Sequence, residues 1–260
     1  FEHTQRLDQL RGEDFTKTFP ELGALQGPWT SRTWCALPWT NTSTTPQGHV
    51  KLCCNISDQS LVMADSTAMR WDTDELEDIW NGPHMRAVRD SMLRGESVAA
   101  CEVCYRQEQL NVVSPRQSAN ADFNGGDSSQ LTNTSALPTS FELRTNTRCN
   151  LQCMTCWSGS SDRLAEQRTR SLQWADLPAD DAWHLSMPAW LSDQWKAETV
   201  SMAGTDSWAQ SQQSLDNFAK LAPTLRRLYI TGGEPTMDSE LYRYLDLLLA
   251  QHNTDCHISL

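Results

Sequence analysis

The sequence predicts an α/β chain: the first part of a βα barrel, preceded by a smaller α+β domain rich in cysteine. Three observations carry this. Two β-prone runs, Ser140–Thr145 and Leu225–Thr231, each lead into a loop of unusual composition and then a helical pattern. Four cysteines from three short segments, Cys35, Cys53, Cys101 and Cys104, stand among few aliphatic residues, where a bound metal substitutes for missing core. Between the two halves, residues 115–138 are rich in Ser, Asn, Gly, Asp and Thr, the composition of a linker. The expected organisation is an N-terminal arm (1–28), a cysteine-rich domain (29–114), the linker (115–138) and the barrel part (139–260), with a tryptophan-rich insertion at 172–224.

The totals narrow the function. The chain has 260 residues, 38% of them hydrophobic, with no apolar run that approaches a membrane span. It begins Phe1-Glu-His-Thr-Gln-Arg, which lacks the apolar core of a signal peptide. A net charge of −12, unbroken by any Lys/Arg block, repels phosphate backbones, so no nucleic-acid partner is expected and no membrane partner either. The cysteines number nine, an odd count, and fall in CxxC-like groups, which points to metal ligation in a reducing, cytoplasmic setting.

The arm is broken by Gly12, Pro20, Gly23, Gly27 and Pro28, leaving room for one short helix near His3–Arg11. Next, Trp34–Trp39 precedes a Thr/Ser/Asn/Pro turn, and His49–Leu52 alternates polar and apolar residues, so a hairpin is expected with its bend near Gly48. Leu61–Asp65 reads as a short strand. Asp74–Trp80 reads as a helix with an acidic first turn and Gly82 beyond its end; Pro83 opens a second helix to Arg94 with Met85, Val88 and Met92 on one face. After the linker comes the strand Ser140–Thr145, then a cysteine loop, then a helix from Ser158 towards Arg170 with Leu164 and Ala165 inward. Trp174, Trp183, Trp190, Trp195 and Trp208 are scattered in the insertion; they suit satellite core, or a cover over the barrel mouth that touches substrate. Leu225–Thr231 runs into Gly232-Gly-Glu-Pro235 and a helix, Asp238–Gln251, with Leu241, Tyr244, Leu245 and Leu248 on its apolar face and Asp238 or Ser239 as N-cap. Cys256–Leu260 reads as the next strand, its cysteine a packing residue.

Two stretches carry chemistry. Cys149, Cys153 and Cys156 follow the first barrel strand at CxxxCxxC spacing. Three thiolates with no fourth nearby can hold three irons of a 4Fe-4S cluster and leave one iron open to a ligand. The same spacing also fits three core cysteines on one helix face, or a three-thiolate zinc site. Gly232 and Gly233 lie at the carboxyl end of a strand, where α/β barrels place their chemistry, and a glycine pair lets backbone approach a ligand closely. Taken alone, the segment also fits a plain strand-to-helix turn. The four N-terminal thiols fill one coordination sphere, for a cluster or for a structural zinc ion. Cys53 rather than Cys54 fits the Gly-x4-Cys spacing from Gly48.

With CxxxCxxC followed one βα unit later by GGEP, the chain resembles the radical S-adenosylmethionine (radical SAM) superfamily. Its N-terminal part, Cys35…Gly48-x4-Cys53 with Leu-Glu-x-Ile-Trp and then CxxC, resembles the SPASM auxiliary-cluster domains and their one-cluster twitch form, here preceding the barrel as in one subgroup. The resemblance implies a barrel cut off after about two βα units, so that the chain is expected to be a C-terminally truncated fragment. It implies that Cys149, Cys153 and Cys156 hold the SAM-binding 4Fe-4S cluster, and that Cys35, Cys53, Cys101 and Cys104 hold a second, auxiliary 4Fe-4S cluster. Gly232, Gly233, Glu234 and Pro235 then face the methionyl ammonium of S-adenosyl-L-methionine. Thr155 takes the adenine-side position, where the superfamily has an aromatic; here Trp157 follows the last cysteine. The implied reaction is reductive cleavage of the cofactor to a 5′-deoxyadenosyl radical that abstracts hydrogen from a peptide, protein or small-molecule substrate. A flavodoxin- or ferredoxin-like protein donates the electron. No side chain of this chain is singled out as catalytic. The competing reading is a non-catalytic module, binding zinc or iron–sulfur clusters for interaction or electron transfer.

Overall fold

A computed structural model describes residues 32–56, 62–64, 67–123, 131–156, 158–167 and 208–260. The expected arm, Trp157 and the tryptophans from Trp174 to Trp195 lie outside the described residues. In chain order the first elements are α1 (Leu37–Thr40), β1 (Asn41–Thr44), β2 (Val50–Lys51), β3 (Met63–Ala64), β4 (Thr67–Ala68), α2 (Leu76–Asn81) and α3 (Pro83–Leu93). They are followed by α4 (Glu102–Gln109), α5 (Pro115–Phe123), β5 (Ser140–Arg144), α6 (Gln212–Leu221), β6 (Arg227–Thr231), α7 (Ser239–Ala250) and β7 (His257–Ser259).

The chain divides into two compact units. One takes the segment ending at Thr42 with Lys51–Ala68 and Glu77–Pro138; the other takes Ser43–Val50, Met69–Leu76 and Thr139–Leu260.

In the first unit α3 turns Met85, Val88 and Met92 inward as its spacing predicts, and buries Arg89 with them. That guanidinium is fully enclosed: its Nε donates to Pro38 O (2.8 Å), its Nη1 to Asn81 Oδ1 (2.9 Å) and Asn133 O (3.1 Å), and it stacks 4.5 Å from the Trp80 ring centroid. Burial, with the neighbouring Arg86 adding to it, pushes its pKa down to about 10, so it stays charged. The tail of the expected linker is fastened here as well, Trp80 Nε1 donating to Ala136 O (2.6 Å) and Asn81 Nδ2 to Ser135 O (2.9 Å). The start of that linker is the helix α5, with Arg116 buried. Composition hid it, because PRQSANADF has no apolar stripe.

The second unit is built on the parallel strands β5, β6 and β7, which belong to a sheet of order β2-β1-β5-β6-β7. β5 and β6 are parallel, with Phe141 opposite Leu228 and Leu143 opposite Ile230, and β6 is parallel to β7. These βα connections agree with the expected α/β class. α6 and α7 cover the sheet with amphipathic faces: Phe218 and Leu221 from one, Leu241, Tyr244 and Leu248 from the other. Ser211 caps α6 and Asp238 caps α7. Trp71 stacks on Phe141 (4.6 Å between centroids), and Phe218 meets Tyr244 edge-on (4.9 Å).

Two segments assigned by sequence to the cysteine-rich domain belong to this unit. Residues 69–76 are tied down by Asn217, whose side chain accepts from Leu76 N (3.0 Å) and donates to Trp71 O (3.0 Å) and Asp74 O (2.8 Å). The bend at 45–49 sits on Trp208, whose Nε1 donates to Pro46 O (2.9 Å). Gly48 has φ +86° and touches the indole so closely that a Cβ would lie 2.8 Å from Trp208 Cγ. Thus 208–224, the end of the expected insertion, is core.

Asn217→Ala leaves a buried amide and two carbonyls without partners. The expected loss is about 1–3 kcal/mol of unfolding free energy, read as a lower midpoint in chemical denaturation.

Candidate metal centres

Four thiols of the first unit line one cavity. Cys35 lies just before α1, Cys53 just after β2, Cys101 at the start of α4 and Cys104 one turn into it, and Ile56 and Val103 complete an apolar lining. Cys53 is buried whereas Cys54 is exposed. Backbone amides are turned on the sulfurs: Leu37 bonds Cys35, and Asn55 and Ile56 bond Cys53. The Asn55 side chain donates to Cys104 Sγ (3.2 Å).

Such N–H groups complement the negative charge of metal-bound thiolate. Without a metal, burial dominates. It pushes Cys35 well above its ordinary value, and Cys53 and Cys101 from 9.0 to about 11, with neighbouring thiols adding to the rise. Cys35, Cys53 and Cys101 are therefore held as neutral thiols until a metal displaces their protons. Among the described residues no three His, Cys, Asp or Glu side chains stand close enough to share a single metal ion. A cluster asks for wider spacing than one zinc ion, because each thiolate takes a different iron. The donor set, the apolar wall and the amides aimed at sulfur fit an iron–sulfur cluster.

The other three cysteines lie in the second unit beyond β5. Cys149 and Cys156 are half-buried; Cys153 and Thr155 are exposed. A short helix over 162–167 braces this loop: Asp162 Oδ1 accepts from Cys149 N (3.0 Å), and Arg163 donates to Asn150 O (2.9 Å).

The Gly232–Pro235 turn leaves the adjacent parallel strand β6 and packs against the chain just before Cys149. Glu234 N donates to Arg148 O (2.7 Å). A Cβ on Gly232 would sit 2.7 Å from Asn146 O; one on Gly233 would sit 2.6 Å from Thr147 O and collide with Arg148 O. The glycine pair thus answers to backbone carbonyls of the cysteine loop. Glu234 folds its carboxylate back onto Thr236, accepting from its N–H (3.2 Å) and hydroxyl (2.7 Å), which lowers its pKa. Pro235 opens the single turn Pro235–Met237. The structure therefore brings the two sequence motifs together at the carboxyl ends of neighbouring strands.

Residues 35–105 match SPASM, an iron-sulfur cluster-binding domain. The SPASM match begins at the first cavity cysteine and ends one residue after the fourth, so it contains the complete four-thiol set. The three-cysteine loop lies outside the SPASM match. No curated protein and no solved structure matches the chain. Sequence reasoning missed Asn55, Arg116, Asn120 and Asp162 around these centres; a polar residue beside a cysteine carries no spacing signal of its own.

Two outcomes follow. In the iron-free chain the raised thiol pKa values favour the folded state below about pH 9, and that contribution is lost as pH climbs through about 11, so the denaturation midpoint falls across this window. Gly233→Ala sets a methyl against the carbonyls of Thr147 and Arg148, so the turn is expected to shift away from the cysteine loop, read as a lower denaturation midpoint.

Proposed function

We propose that this chain is a radical SAM enzyme acting on a peptide or protein. The observation that carries the reading is the direct bonding of the Gly232–Pro235 turn to the backbone ahead of Cys149, with a SPASM-type centre in the same chain. In this reading Cys149, Cys153 and Cys156 hold three irons of a 4Fe-4S cluster. The exposed flank of the loop, with Thr155, faces S-adenosyl-L-methionine, and Glu234 with the turn's carbonyls accepts from its ammonium. When bound, cluster and cofactor supply one-electron cleavage of the sulfonium to a 5′-deoxyadenosyl radical that takes hydrogen from substrate. The chain's part is to hold the three thiolates, keep the turn against the loop, and present acceptors to a cation. Cys35, Cys53, Cys101 and Cys104 hold an auxiliary cluster that anchors substrate or accepts an electron. A flavodoxin- or ferredoxin-like donor in the cytoplasm completes the system. Among the described residues no helix is long and apolar enough to cross a membrane.

The test is anaerobic reconstitution with iron and sulfide, reduction, and addition of S-adenosylmethionine. The expected result is a change in the electron paramagnetic resonance signal of one cluster and release of 5′-deoxyadenosine. Both vanish in Cys153→Ala, which keeps the other cluster. Zinc in place of iron, or two clusters indifferent to the sulfonium, sinks the proposal in favour of a binding or electron-transfer module.

A further inference from the structure

The cavity that holds the four thiols has a wall that the SPASM match does not include. Helix α5 starts ten residues after the match ends, and its side chains grip the backbone on both sides of Cys35. Asn120 Nδ2 donates to Trp34 O (3.0 Å) while its Oδ1 accepts from Ala36 N (2.9 Å), a two-bond clasp around the intervening cysteine. Arg116 Nη1 donates to the same Trp34 carbonyl (2.6 Å). The Phe123 ring meets the Trp34 ring edge-on at 5.5 Å. Arg116 itself lines the cavity beside the thiols and is held in a fork by Glu108 of α4, Nε to Oε1 at 2.9 Å and Nη2 to Oε2.

We propose that α5 completes the metal centre, with Asn120 positioning Cys35 as a ligand and the Arg116–Glu108 pair setting the reduction potential of the cluster. This rests on the reading of the four-thiol cavity as a cluster site. A cluster on four thiolates is anionic and gains another negative charge on reduction, so a fixed cation in the wall favours the reduced form. Arg116 stands in the same cavity wall as the four thiols, so its charge faces them directly. Glu108 opposes it. The same ion pair both orients the guanidinium and moderates its field.

The test uses the full chain with Cys149, Cys153 and Cys156 replaced by alanine, so that any cluster belongs to the four-thiol site. Reduction potential is read by a spectroscopic redox titration and ligand retention by the rate of iron loss to a chelator. Arg116→Gln is expected to lower the potential and Glu108→Gln to raise it. Asn120→Ala is expected to hasten iron loss by about 10–100-fold with little change in potential. A purely structural ion pair shifts both charge variants in the same direction or neither, and that result overturns the electrostatic role. Should Arg116→Gln fail to fold, Glu108→Gln alone decides it, since an unchanged or lowered potential contradicts the proposal. Unaltered iron retention in Asn120→Ala overturns the positioning role. Failure of the triple-alanine chain itself to assemble a cluster overturns the cluster reading and this inference with it, whereas an assembled cluster with unresponsive variants overturns the inference alone.

Discussion

The carbonyl of Trp34 is the point on which the cysteine-rich unit turns. Two side chains of α5 donate to it, and the residue that follows it is the first cavity cysteine. Four thiols from three distant segments can serve one centre only if their backbones are already held at fixed spacing, and a unit with few aliphatic residues has little apolar surface to do that. Polar side chains bonded to backbone carry much of the task. Arg89 ties α3 to Pro38 and Asn133, and Arg116 ties α5 to Trp34. Hydrogen bonds from charged donors are worth about 1.5–3 kcal/mol each against ~1 for neutral ones. Burying a guanidinium still costs solvation, as the depressed pKa of Arg89 records, and stacking on Trp80 offsets part of that cost.

The sheet unit meets a different demand, to bring two loops from neighbouring strands into contact. Parallel pairing of β5 with β6 sets Arg144 beside Thr231, so whatever follows each strand emerges side by side. Contact then requires that one backbone carry no side chains, and Gly232 and Gly233 meet that need against the carbonyls of residues 146–148. A glycine pair at a strand's end suggests an approach to ligand; here its first duty is an approach to another stretch of the same chain.

The parts of the fold visible in the sequence are those with a period or a punctuation mark. α3 was legible from Met85, Val88 and Met92 between Pro83 and Gly95, and α7 from Leu241, Tyr244 and Leu248 after Asp238. The Gly-x4-Cys spacing from Gly48 singled out Cys53, which the structure buries while leaving Cys54 exposed; the alternation through His49–Leu52 alone turns Cys53 to the polar face. The elements that escaped notice are held largely by polar side chains far apart in sequence. α5 has no apolar stripe and is fixed by Arg116 and Asn120. Residues 69–76 join the sheet unit through Asn217, lying 141 residues from Leu76 and 146 from Trp71, and through Trp71, whose ring stacks on Phe141 and whose Nε1 donates to Ser214 O. Glu142 is buried on β5 because Arg144, two residues on, supplies a counter-ion at 2.7 Å; the alternation rule alone faces it to water.

The same distinction explains why the SPASM match stops where it does. Ligand spacing in a cluster domain is rigid, because each sulfur must reach its own iron, and a rigid spacing is what a sequence pattern records. The wall behind the ligands has looser rules: any side chain that grips the Trp34 and Ala36 backbone and any cation near the sulfurs will serve. That wall nonetheless governs loading. With Cys53 and Cys101 pushed up to about 11 in the thiol form, a metal must displace tightly held protons, and each fixed positive group facing the cavity lowers the work of doing so. A centre whose thiols are deeply buried therefore depends on its surrounding charges more than an exposed one does. On this argument the ligands fix where a cluster sits, while the unmatched helix bears on how readily it forms and at what potential it works.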